Sequence, residues 1–301
     1  ALMLCLSCVS ALAAEAWTVT CPWAPSGVAA MVNQKAASLS TTYSQDYVLV
    51  ANAEKGDTAT INSWLTKYTE ADPQMCFIGE GMFGITAILD PERMNFTYDD
   101  FEYVENLYSS IFVASARKEL GITSIDALKA YLEEGNQIMV GTNGATGSEA
   151  FLAAALIGAM GCGDQFYLIP YESAAEAAQA VARGEVDIAV SHQSQILETW
   201  QQGGVDVFAA FDGEPIAQGP FKGVEGVGQY GYPYFRNRCF IFAKAGADEQ
   251  KIADLKALYA QILTDEEMVD WLNNTMLLEA DMMTEEEVIA HIDNVKNIVE
   301  E

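Results

Sequence analysis

One order repeats along the chain and limits the folds open to it: a short apolar run, a loop rich in Gly, Pro, Ser or Thr, then a helical pattern. Trp17-Thr-Val-Thr-Cys21 precedes Pro22-Trp-Ala-Pro25-Ser26-Gly27 and a helical stretch over about 28–40. Tyr47–Ala51 precedes a turn at Gly56-Asp57 and a helix over about 58–70, and Met75–Ile78 is a third strand. After the apolar segment 111–114 the order restarts: a helix near 123–134, a strand at 137–141, a Gly/Thr/Ser loop and an Ala-rich helix over 148–160. Strands at 166–169, 186–190 and 205–210 follow, separated by helices near 173–183 and 193–202. Strands joined through helices must run parallel, so the pattern predicts sheets flanked by helices, an α/β layer structure. At 301 residues the chain is long enough for two such units. Arg238–Ala243 reads as a strand returning to the first unit, ahead of three amphipathic tail helices in 248–300. Thr264-Asp-Glu-Glu267 and Thr284-Glu-Glu-Glu287 have capping-box spacing and are expected to start two of them.

Charge removes several functions. Asp and Glu number 43 against 15 Lys and Arg, a formal net charge of −28. Such a polyanion is repelled by phosphate backbones, which excludes nucleic acid as a partner. Two histidines in the whole chain argue against a multi-His metal site, and no metal or cofactor is expected. His291, in the acidic tail, reads as surface decoration.

Residues 1–14 (ALMLCLSCVSALAA) are uncharged, small and apolar, like the later part of a secretory signal. They are too few to span a bilayer core of about 30 Å. The expectation is an exported protein whose remnant signal covers 1–16, with cleavage after Ala13, Ala14 or Ala16; whether the segment is cleaved, lipidated or kept as an anchor stays open. Cys21, Cys76, Cys162 and Cys239 follow it, none in a Cys-x-x-Cys arrangement. Each has an apolar context suited to a buried thiol, although Cys21 and Cys76 could form a disulfide if their strands are neighbours.

The loop Gly141-Thr-Asn-Gly144-Ala-Thr-Gly147-Ser148 follows a strand and opens a helix. Its amides and hydroxyls converge at the positive end of the helix, a site for a small anion that needs no Lys or Arg. A plain strand–helix turn would look the same. Pro22–Gly27 has the equivalent place in the first unit, and two such loops facing one another would clamp a ligand in a cleft. Gly79-Glu-Gly81-Met-Phe-Gly84 and Gly226-Val-Gly228-Gln-Tyr-Gly231 both match G-x-G-x-x-G but are read as chance matches. In the first, Glu80 would face a pyrophosphate; the second follows no strand. His192, beside Ser191 just past a strand, has no identifiable Asp to orient it and reads as a ligand contact rather than a base.

Taken in order, Val19-Thr-Cys-Pro22-Trp-Ala-Pro25-Ser-Gly27, the Gly141–Ser148 loop, Pro170-Tyr171-Glu-Ser-Ala-Ala-Glu-Ala177 and Gly184-Glu-Val-Asp187 resemble the Bug-type receptors of tripartite tricarboxylate transporters. The resemblance implies an α/β, two-domain, periplasmic-binding-protein-like (type II) fold, each domain a mainly parallel sheet with the ligand cleft between. It divides the chain into a first domain at 17–116, a second at 117–238 and a return of the first at 239–301, with crossings near 114–119 and 236–240. It implies a non-catalytic, monomeric receptor that captures a small carboxylate and passes it to membrane subunits of a transporter. Carried over, Ala24, Pro25, Ser26 and Gly27 clamp from the first domain, with Gly56, Asp57 and Thr58 completing the wall. Thr142, Asn143, Thr146, Gly147 and Ser148 clamp from the second, and Ser191 and His192 stand at the cleft edge. The chain departs from the family pattern at Val28, at Ala29-Ala30 and at Ala150. Two other functions fit the same fold: a sensor for a signalling partner, and an enzyme using Cys162, Asp164 or His192.

Overall fold

The structure, a computed structural model, describes residues 13–301. The first unit runs β1 (Glu15–Cys21), α1 (Val28–Tyr43), β2 (Tyr47–Ala53), α2 (Thr58–Lys67), β3 (Gln74–Gly79), the single turn α3 (Ala87–Leu89) and β4 (Phe101–Ser110). The second runs β5 (Phe112–Arg117), α4 (Ile125–Glu133), β6 (Ile138–Asn143), α5 (Ser148–Ala159), β7 (Phe166–Tyr171), α6 (Ala174–Ala182), β8 (Ile188–His192), α7 (Gln193–Gln201) and β9 (Val205–Ala210). The chain then returns through β10 (Asn237–Lys244) to α8 (Glu249–Thr264), α9 (Glu266–Asp270) and α10 (Glu285–Glu300).

Two five-stranded sheets result, in the orders β2-β1-β3-β10-β4 and β7-β6-β8-β5-β9. Each contains one strand that runs against the other four, β10 in the first and β5 in the second. Both are the strands that enter a sheet after a crossing, so they arrive without a helical crossover and pair antiparallel. The first crossing is the single residue Ile111, not the segment 114–119, because β5 already belongs to the second sheet.

The expected alternation of strand and helix is met from β1 to β3 and again from β5 to β9, and the central strands β3 and β5 bury both faces, as a sheet covered by helices requires. α10 bridges the units: Val288 and Ile292 lie in an aromatic cluster with Phe83 and Phe242, while Val295 packs with Ile85 and the second-domain core. Gly84 permits this contact, since a Cβ there would lie 2.5 Å from the Val295 side chain.

Three local expectations are corrected. The parallel register of β1 and β3 sets Thr20 opposite Cys76, so Cys21 points to the other face of the sheet and the two thiols are free. Cys21 is buried with Trp17 and Phe77, Cys76 with Ile61 and Phe240. Thr264 ends α8 instead of capping α9; Asp265 caps α9 by accepting from the Met268 N–H, whereas the Thr284 capping box forms as expected. His291 is not surface decoration: burial first, then Arg238, lowers its pKa to about 3, and its Nδ1 meets Arg238 Nη1 at 3.0 Å.

The expected leader, residues 1–16, falls mostly outside the described residues. Glu15 and Ala16 pair with Tyr47 and Val48, and Glu15 binds Lys251 at 2.8 Å. Cleavage after Ala16 would remove both pairings, whereas cleavage after Ala13 or Ala14 would leave β1 whole.

Candidate functional site

The carboxyl ends of β1, β2, β3, β6, β7 and β8 point toward one cleft between the sheets, with a cavity of about 470 Å³. In open α/β sheets this is where loops leave the strands and helices begin, so amides and small polar side chains collect there.

Of the first loop, Ala24 and Gly27 line the cavity, while Pro25 and Ser26 are exposed outside it. Gly27 is the N-cap of α1 and carries no side chain to cap it. Gly56 and Asp57 line the same wall, tied to the first loop by their N–H groups, which donate to Pro22 O at 3.2 and 2.9 Å. Thr58 is buried behind them. Asp57 has φ 51° and ψ −129°, a positive-φ conformation that costs a non-glycine residue about 1 kcal/mol or more. It holds the carboxylate toward Arg93, whose Nη2 donates to Asp57 Oδ2 at 3.1 Å.

Across the cleft, Asn143, Thr146, Gly147 and Ser148 line the cavity. Thr142 is fully buried and braces the loop by donating to Gly144 O at 2.7 Å; Gly144 itself takes the left-handed φ of 74° that this turn requires. Ser148 opens α5, but its hydroxyl is already committed, donating to Glu80 Oε1 at 2.9 Å. His192 is a cavity residue and Ser191 is not: alternation along β8 buries Ser191 completely. The His192 ring lies tilted against Phe112 with 4.6 Å between ring centres, its Nδ1 lies 2.8 Å from Ser110 Oγ, and burial lowers its pKa to about 3. It is therefore a neutral imidazole at any physiological pH.

Several cleft residues escaped the sequence analysis. Gly79-Glu80-Gly81, set aside as a chance motif, forms the cleft floor. Its glycines serve close approach: a Cβ on Gly81 would lie 2.8 Å from Ser148 Oγ, and one on Gly79 would lie 3.4 Å from the Trp23 ring. The pairing of Gly with a strand end was the available signal. Glu149, second residue of α5, faces the cavity and is 6% exposed. Burial raises its carboxyl to about 7. Arg93 and Lys55 span the cleft rim, Arg93 Nη1 donating to Thr146 Oγ1 at 2.7 Å and Lys55 pairing with Glu172. Nothing in the local sequence marks either, since both act through tertiary position.

No group of His, Cys, Asp and Glu among the described residues could hold a metal ion, and none of their helices is long and apolar enough to cross a membrane.

Fold and cleft together define a two-domain binding protein of the periplasmic type. MatC of Rhodopseudomonas palustris with bound malate superposes with a TM-score of 0.79 at 17% identity over 94% of this chain and 98% of that one. The R. palustris protein Rpa4515 with adipate gives 0.81 at 16% identity, covering 94% of each chain. The periplasmic binding protein BugD gives 0.80 at 16% identity over 95% of each. Comparison with curated proteins finds no significant match. The profile of the tripartite tricarboxylate transporter family receptor matches residues 44–297, and the chain belongs to that family. Its members are solute receptors, not enzymes, which sets aside the catalytic reading of Cys162, Asp164 and His192.

Proposed function

We propose that the protein is an exported receptor that captures a small carboxylate-bearing metabolite in the interdomain cleft and delivers it to the membrane subunits of a tripartite transporter. The observation that carries this reading is the pair of helix-opening loops, Ala24–Gly27 and Asn143–Ser148, facing one another across a cavity sized for a small metabolite. Uncapped amides there would hold a carboxylate without a lysine or arginine, and their positive potential offsets the repulsion expected of so acidic a chain. Gly27, Asn143, Thr146 and Gly147 are the contacts assigned to the ligand, with neutral His192 closing the far wall. MatC and Rpa4515, which hold malate and adipate, support a small organic acid as the solute.

The test is a thermal-shift screen of the protein from Glu15 onward against mono-, di- and tricarboxylates and amino acids. A ligand at about one hundred times its Kd should add about 2.7 kcal/mol of stability. A hit abolished by Gly147→Trp, which fills the loop, supports the reading; a broad panel without a hit overturns carboxylate capture. Co-purification of the loaded receptor with the transporter's membrane subunits tests delivery.

A further inference from the structure

The two loops that face one another across the cleft are alike in backbone and differ in the acids beside them. On the first-domain side, α1 begins at Val28 with no side-chain cap and no acid in its first turn. The leading N–H groups of a helix lack partners inside it and carry the positive end of its dipole. Gly27, Val28 and Ala29 line the cavity, so this end of the cleft presents amides to a negative group.

On the second-domain side, α5 also begins without a side-chain cap, yet two carboxyls crowd its start. Glu80 holds the Ser148 hydroxyl, and Glu149 faces the same cavity. Glu149 is more than nine-tenths buried; its carboxyl meets its own backbone N–H, and among the described residues no other side chain hydrogen-bonds to it. The two cations in the cleft wall, Arg93 and Lys55, are engaged at the rim with Asp57, Thr146 and Glu172. Burial is the main cause of the raised Glu149 pKa, and the charges of Glu80 and Asp57 add to it. A second ligand carboxylate placed here would add one more like charge beside Glu149, Glu80 and Asp57 in a low-dielectric site. A protonated amine would form charge-assisted hydrogen bonds instead.

We propose that the cleft takes a ligand with an ammonium group as well as a carboxylate, the carboxylate on the start of α1 and the ammonium against Glu149, so that amino acids are its solute class. This rests on the cleft being the receptor site proposed above. It separates this chain from MatC and Rpa4515, whose bound malate and adipate are carboxylates at both ends. Glu149 is then the residue that sets specificity, by attraction to an amine and by repulsion of a second acid.

Calorimetric titration with matched pairs tests it: succinate against β-alanine, glutarate against γ-aminobutyrate, adipate against δ-aminovalerate, and succinate against aspartate. The expected result is that the amine-bearing member of at least one pair binds about ten-fold tighter or better, the scale of one charge-assisted hydrogen bond. Glu149→Gln, checked for folding by its melting curve, should erase that preference. Tighter binding of the dicarboxylate in every pair leaves the receptor reading intact and overturns this one. So does an amine preference that survives in Glu149→Gln. Binding of none of these compounds overturns this one, and the wider carboxylate panel then decides the receptor reading. Should the variant fail to fold, the pair comparison in the unaltered protein still decides the matter.

Discussion

Glu80 and Ser148 belong to different domains and meet at 2.9 Å on the cleft floor. The same carboxylate accepts from Asn237 Nδ2 at 2.9 Å and from the Arg238 N–H at 2.8 Å. One buried group thus ties the end of β3, the start of α5 and the entry of β10. Burial raises its pKa while these donors pull the other way.

Removing that acceptor should be expensive. Glu80→Ala leaves three donors in a buried site without a partner, and the expected loss is about 3 kcal/mol. Glu80→Gln, whose amide oxygen still accepts, should lose less. Urea denaturation reads both, and an alanine variant as stable as the parent would show that water replaces the carboxylate at no penalty.

Arg93 joins the rims. Arg93→Ala removes the bonds to Thr146 and Asp57 and should shift the ligand-free protein toward open forms, seen as a larger radius of gyration by small-angle scattering. Global stability should change little, because the residue is partly exposed. An unchanged scattering curve would show that the Lys55–Glu172 pair holds the rim alone.

Stability should pass through a maximum in mildly acidic solution. His192 is depressed to about 3 from an ordinary 6.5, so its contribution is full above pH 6.5 and is lost as pH falls toward 3. Glu149 is raised to about 7 from 4.5, so its contribution is full below pH 4.5 and is lost as pH rises through 7, on the order of 3 kcal/mol. Melting temperatures of Glu149→Gln should therefore fall less on the alkaline side, and those of His192→Asn less on the acid side. Parallel profiles for both variants and the parent would refute the assignment.

Thiol titration should find Cys21, Cys76, Cys162 and Cys239 all reduced after unfolding of the protein from Glu15 onward, even when it is prepared without reductant. In the native state Cys21, Cys76 and Cys239 should react far more slowly than Cys162, since burial pushes all three thiols up in pKa. Two missing thiols would mean that β1 and β3 adopt another register.

The strand–helix rhythm was legible because it is a local pattern, and so were the loops opening α1 and α5, whose Gly, Pro and Ser residues announce them. β4 was not. Its interior carries Glu105 and Asn106, both buried, which break the apolar run that marks a strand. Their partners are distant in sequence: Glu105 Oε1 accepts from the Met283 N–H, and Asn106 Nδ2 donates to Asp281 O. The cleft shows the same limit. Gly147 and Ser148 could be read from their own neighbourhood, but Glu80 was misread because its donors sit on α5 and β10, and Arg93 follows a broken segment with no signal of its own. The single antiparallel strand in each sheet was equally hidden, since the direction of a strand depends on where the chain crosses.

Those crossings lie side by side. Ser110 pairs with Asn237 and Ser109 with Arg238, immediately before Ile111 leaves for the second sheet and just where the chain comes back. Two tethers laced together by their own backbone resist shear and separation but yield to bending across the ladder. The halves of the molecule are left with essentially one soft coordinate, like covers on a spine. Any molecule seated between the covers acts on that single angle.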